Sequence, residues 1–178
     1  PPEYSVGDPL VIKDQGEGTD TCTAYALTAV SEDEEGVVLD PDFTFGVTKQ
    51  ITGEPDGWGA DLRSAATSAV QREGAYGFLE CADLSKVTNP QTIDDRNRAA
   101  KGEYLTPQAT REAQKHAKRS FFSVDGPYDL FDNIRSALWQ TRAEKRSVFT
   151  GRNWRTSWTD APDGVIATAP AEQTFGHA

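Results

Sequence analysis

The sequence predicts an α+β fold, and three observations carry that expectation. Helix-favouring runs crowd the first half, opening at Cys22, at Pro41 and at Asp61. Short β-branched and aromatic runs at residues 120–124 and 147–151 read as strands in the second half. A long polar stretch separates the two. The reading is a single domain of 178 residues: a helical half over about 20–85, a polar excursion over about 86–119, and a sheet-rich half over about 120–178. A chain of that length buries a core of ordinary size.

Residues 1–20 read as extended and loop-like, with Leu10-Val11-Ile12 a short strand. The first helix runs from Cys22 to about Glu34. Ala24, Ala26, Leu27, Ala29 and Val30 make it apolar around most of its circumference, which predicts burial. Gly36 suits its C-terminal cap. Glu32, Asp33, Glu34 and Glu35 place four acids at the negative end of that helix, as a solvated end or a divalent-cation site. Pro41 and Asp42 suit the first turn of a second helix, and a third spans 61 to about 73, closed by Gly74. The excursion contains Asn89-Pro90 and Lys101-Gly102 and is expected on the surface. Thr106-Pro107 opens a charged helix to about Lys118, with His116 on its solvated face. A strand at 120–124, a helix at 130–139 and a strand at 147–151 complete the order. No internal repeat or heptad is present.

Composition excludes several function classes. The chain carries 28 Asp and Glu against 18 Lys and Arg, a net charge of -10. That balance argues against nucleic acid or an anionic membrane as partner, since phosphate rewards clustered positive charge. No apolar run approaches the roughly 20 residues of a membrane-spanning helix, and no signal peptide is legible. Methionine is absent, so Pro1 is not an initiator, and a fragment released by processing is the expectation. Two cysteines make no disulfide framework. They constrain the compartment little, and the processing reading fits an extracellular setting or a secreted or virion assembly. Cys81 reads as a free structural thiol.

The most informative stretch is Asp14-Gln15-Gly16-Glu17-Gly18-Thr19-Asp20-Thr21-Cys22-Thr23-Ala24-Tyr25-Ala26. A Gln-Gly turn leads to a lone cysteine that opens a helix, where unsatisfied backbone N–H groups and the helix dipole favour a nucleophilic thiolate. The alternative reading of the same residue is a buried structural cysteine. At the other end stands Gln173-Thr174-Phe175-Gly176-His177-Ala178, holding one of two histidines, 155 residues beyond Cys22.

Together these segments resemble the papain-like cysteine peptidases, a family with a Gln-Gly loop, a cysteine opening a long helix, and a distant Gly-His-Ala. Pro2-Glu3-Tyr4 is similar to the mature N-terminus of such enzymes. The turn and helix of Asp56-Gly57-Trp58-Gly59-Ala60-Asp61-Leu62 resemble the family's cleft-lining glycine turn. The resemblance implies a two-lobed fold with a cleft between a helical and a sheet-rich lobe, here with its C-terminal strands missing.

It also implies a thiol protease, a hydrolase of polypeptides acting through a thioester, with no cofactor and no metal. Cys22 would be the nucleophile and His177 its base. Gln15 and the Cys22 backbone N–H would form the oxyanion hole. Gly57 and Gly59 would let substrate backbone lie close, with Trp58 walling a pocket.

Three departures stand out. Gln15 to Cys22 is seven positions, one more than the family pattern. The family's disulfide cysteine and tryptophan around the nucleophile are replaced by Gly18-Thr19-Asp20-Thr21 and Thr23. The orienting asparagine that should follow His177 is missing, since Asn153-Trp154 precedes it. A second chain or larger assembly completing the fold is therefore expected. The alternative function is an inactive or weakened papain-like domain kept as a structural or binding module of such an assembly.

Overall fold

The computed structural model describes residues 10–57, 59–70, 76–121, 124, 129–141, 143, 148, 152–155 and 174–177; at 130–131, 152–155 and 174–177 only the backbone is described. Helices run α1 Cys22–Glu35, α2 Pro41–Thr52, α3 Leu62–Ala69, α4 Ser85–Thr88, α5 Ile93–Ala100, α6 Pro107–Ala113 and α7 Leu130–Gln140, with a 3-10 turn at Gln114–His116 after α6. Strands β1 Arg152–Arg155 and β2 Thr174–His177 form one antiparallel ribbon.

Helix α2 is the centre of the molecule. Asp40 caps it, its carboxylate accepting from the N–H groups of Asp42 at 2.9 Å and Phe43 at 3.1 Å, and Pro41 fills the first turn. It is buried on every side from Pro41 through Lys49 and packs against α1, α3 and α5. Three apolar groups surround it. Leu27, Leu39, Ala65, Ala69 and Phe78 form one, Ala24, Phe45, Ala99 and Ala100 a second, and Phe43, Val47 and Ala113 a third.

Helix α1 ends at Gly36 in the left-handed conformation, with its N–H on Glu32 O at 2.8 Å. Half of it is buried: of the apolar residues that predict burial, Ala24 and Leu27 are buried, Ala26 and Val30 are half-buried and Ala29 faces solvent. Helix α3 stops at Ala69, shorter than expected. Val70 turns extended and bridges Lys118 in parallel, the Lys118 N–H donating to Ala69 O at 2.6 Å. The expected cap at Gly74 lies outside the described residues.

Two expectations are overturned. The polar stretch over 86–103 is no loose excursion, since it holds α5 and the end of α4 and contributes buried Val87, Ala99 and Ala100, while the helix expected to open at Thr106-Pro107 is α6, which ends at Ala113 with buried Ala113. The N-terminal signals of α5 and α6 are local: Thr92 and Asp95 form a reciprocal capping box, and the Thr106 hydroxyl accepts from Ala109 N.

The α+β, papain-like two-lobed fold with a sheet-rich C-terminal half is also corrected. The described residues are helical, and strand is confined to the four-residue pairing of β1 with β2. Residues 120, 121, 124 and 148 belong to no strand, and the rest of the two expected strands lies outside the described residues, as does Trp158. Leu10-Val11-Ile12 is not a strand either. Such short runs signal a strand only where neighbouring strands and a packed face sustain them.

Candidate functional site

The approach to Cys22 is fixed by buried hydroxyls and one amide. Asp14 N–H donates to Val87 O at 2.8 Å, and the Asp14 carbonyl accepts from Gln91 N–H at 3.3 Å. The Asp14 carboxylate accepts from Gly16 N–H at 2.9 Å, closing a local turn. The Thr19 hydroxyl lies 2.9 Å from Gln15 O, 3.2 Å from Gly16 O and 3.1 Å from the Thr21 hydroxyl. Thr21 then donates to Gln91 Oε1 at 2.6 Å, and Gln91 Nε2 donates to the Asp42 carboxylate on α2. Thr19 and Thr21 are fully buried. A ladder of polar groups thus stands where the family pattern has a disulfide.

Gly16 has φ +75, and a Cβ there would overlap the Gln91 carbonyl oxygen, so only glycine fits. Asp20, with φ 55, is the non-glycine residue in the left-handed region among the described residues, two positions before the thiol. Cys22 opens α1 as a half-buried free thiol. Thr21 does not cap that helix, because its hydroxyl is engaged with Gln91.

The Gly57–Ala60 segment stands beside the first turn of α1. The Thr23 hydroxyl donates to Ala60 O at 2.8 Å, joining the two directly. Gly57 O accepts from Lys49 Nζ at 2.6 Å and from Arg96 Nη2 at 2.8 Å. Both cations also lie over the buried Phe45 ring, 5.4 and 5.6 Å from its centroid. Burial, with the Arg96 charge adding to it, pulls the Lys49 ammonium below its ordinary range. Gly57 therefore turns its carbonyl inward, whereas Gly59, at φ +66, has open space where a side chain would stand. Trp58 lies outside the described residues.

Asp61 anchors this segment to α3, its carboxylate accepting from Arg63 N–H at 3.0 Å and Ser64 N–H at 2.9 Å. Asp61→Ala is expected to cost about 0.5–2 kcal/mol of stability, the range for losing such a cap. A shift of the urea midpoint at unchanged slope would register it.

His177 ends β2, where the register sets Arg152 opposite His177 and Asn153 opposite Gly176. The position of its imidazole relative to Cys22 falls outside what is described. The ladder ties the Gln15 carbonyl, through Thr19, to the Thr21 hydroxyl just before Cys22, and the Thr23–Ala60 bond sets Ala60, next to Gly59, beside the first turn of α1. Gln91, Thr19, Thr21, Lys49 and Arg96 were not evident from the sequence. The Thr92-x-x-Asp95 box was the one local signal that an ordered helix, and hence a fixed Gln91, begins there.

Other titratable groups have structural partners. Cys81 is buried, its thiol donating to Asp83 O at 3.2 Å, and burial pushes it up from its ordinary value, with Asp40 adding to the shift. His116 is not on a solvated helix face. It sits on the 3-10 turn with Nδ1 2.9 Å from Glu35, while Lys118 Nζ reaches Glu34 at 2.8 Å and Glu35 at 2.7 Å. Burial raises the Glu35 carboxyl, but Lys118 and His116 outweigh it and hold the group below its usual value. Among the described residues no group of three or more His, Cys, Asp or Glu side chains is arranged to hold a metal ion, and no helix is long and apolar enough to cross a membrane. Comparison with protein-family models, curated proteins and solved structures finds no match to this chain, so the reading of the site rests on its own residues.

Proposed function

We propose that the protein is a cysteine peptidase that hydrolyses polypeptides through a thioester. One observation carries the reading: a half-buried free thiol opens a well-packed helix between a hydrogen-bonded Gln15–Thr21 loop and the Ala60 carbonyl that Thr23 holds. The papain-like motif supports the assignment of roles, and the reading does not depend on a sheet-rich lobe. His177 takes the Cys22 thiol proton, and the thiolate attacks the scissile carbonyl. The Gln15 amide and the Cys22 N–H stabilise the oxyanion. Collapse breaks the C–N bond, and the leaving amine takes the proton from His177. Water, deprotonated by His177, then attacks the thioester, releasing the acid and returning the thiol.

The test is capture by an epoxide-bearing peptide probe, mapped by mass spectrometry. Native protein is expected to be labelled at Cys22 and not at Cys81, with labelling lost on denaturation. Gln15→Ala should slow hydrolysis of a peptide substrate by about 10²–10³, and His177→Ala should slow capture by about 10²–10⁴.

The second reading is a binding module of a larger assembly. The extra position between Gln15 and Cys22 favours it, because it displaces the loop relative to the family pattern. Native protein that ignores the epoxide while Cys22 still reacts with iodoacetamide would establish the module and exclude the peptidase.

A further inference from the structure

Gln91 touches the nucleophile loop at three separate places. Its N–H donates to Asp14 O at 3.3 Å, its carbonyl oxygen packs against the Cα of Gly16, and its side-chain oxygen accepts from Thr21 at 2.6 Å. These contacts fall at the start, the bend and the end of the segment that runs into Cys22. The side chain is itself held from behind. It is 6 % exposed, its Nε2 donates to Asp42 on α2, and its backbone directly precedes the Thr92 capping box of α5. Both helices belong to the core, so Gln91 links the loop to the two best-packed elements near it.

A glutamine is needed for this arrangement. The Thr21 hydroxyl requires an acceptor and the Asp42 carboxylate a donor, and a primary amide presents both from one side chain. Glutamate would set a second carboxylate beside Asp42, and leucine would take away the Asp42 carboxyl's donor and leave the buried Thr21 hydroxyl with Thr19 alone, a costly loss for buried polar groups. The contact spans 70 positions of sequence.

We propose that Gln91 is a positioning residue for the nucleophile loop, holding residues 14–21 in the register that sets Gln15 and the Cys22 N–H together. The catalytic half of this statement rests on the peptidase reading. Its structural half does not, and the experiment separates them.

Amide hydrogen exchange and epoxide capture are measured on the full chain and on Gln91→Leu, Thr21→Val and Thr21→Ser. Gln91→Leu and Thr21→Val are expected to speed exchange at residues 15–21 by at least about tenfold, as loss of a buried hydrogen bond does to a local opening equilibrium. Protection in α2 and α5 stays at the wild-type level. Capture at Cys22 slows by at least about the same factor, and Thr21→Ser, which keeps the hydroxyl, restores both. Thr21→Val conserves volume and serves should Gln91→Leu fail to fold.

Unchanged loop exchange in the folded variants overturns the proposal. Faster loop exchange with wild-type capture also overturns it, because the loop's order would then not govern the thiol. Wild-type protein that takes no epoxide at Cys22 removes the peptidase reading alone, and loop exchange still decides whether Gln91 holds the segment.

Discussion

Replacing Glu32 by alanine is expected to lower the stability of this protein by about 3–5 kcal/mol, the cost of breaking a buried ion pair from one side. Lys13 and Glu32 meet at 2.6 Å with side chains only 6 % and 3 % exposed. Lys13 also donates to Leu39 O at 2.8 Å and Thr28 Oγ1 at 2.9 Å, and Glu32 accepts from Leu39 N–H at 2.7 Å. Truncating Glu32 strands an ammonium and a backbone donor together. Glu32→Gln, which keeps an acceptor for Leu39, should lose less. The pair Lys13→Met with Glu32→Leu should recover most of the difference, because well-packed apolar groups often replace a buried pair at little cost.

The sign with pH is fixed by Lys13, which burial pulls below its ordinary 10.5 although Glu32 opposes the shift. The unfolded chain then binds more protons than the native one, so stability rises with pH as it approaches 10.5. The penalty in Glu32→Ala should therefore shrink toward alkaline pH. A urea series at several pH values would show it, and a penalty independent of pH would count against a buried charge as the cause. Since Lys13 lies two positions before Gln15, the same variant should loosen the loop ahead of the thiol.

Asp42→Asn is expected to stabilise the protein at pH 8 by about 1–4 kcal/mol, with no gain at pH 4. Burial, reinforced by Asp40 and Asp95 and opposed by the Gln91 hydrogen bond and by Lys86, pushes the Asp42 carboxyl from 3.8 up to about 7. Between those values the native state keeps a proton that the unfolded chain has released. Stability accordingly falls as pH rises, by about 1.4 kcal/mol per unit, until the native group ionises. Asparagine removes that slope and still offers Gln91 an acceptor, so the loop should stay in place. Thermal melts between pH 4 and 8 check this, and an unchanged slope in the variant would show that another group sets it.

What the sequence disclosed follows the range of the interactions involved. The starts of α1, α2 and α3 and the left-handed cap at Gly36 were legible because caps and turns are written within a few residues. Helix α5 hides in a polar stretch although its Thr92-to-Asp95 capping box is local, because its composition is that of a surface loop. Its buried Ala99 and Ala100 form a face only two small residues long in sequence. At the described residues 120, 121, 124 and 148 no strand stands, since the signal expected at 120–124 and 147–151 depended on neighbours that no local pattern can supply. At the site, Cys22 and the loop were legible, whereas Gln91, Lys49 and Arg96 act across contacts 70, 8 and 39 positions long. Only Lys49, two turns into α2, stands near its partner in sequence.

The two cations on the Gly57 carbonyl have a thermodynamic consequence for whatever binds beside them. A loop that orders only on contact subtracts its lost freedom from the affinity of each ligand. Here the Gly57 carbonyl is already committed to Lys49 and Arg96, both braced on Phe45, so this backbone group has no freedom left to lose when a ligand arrives.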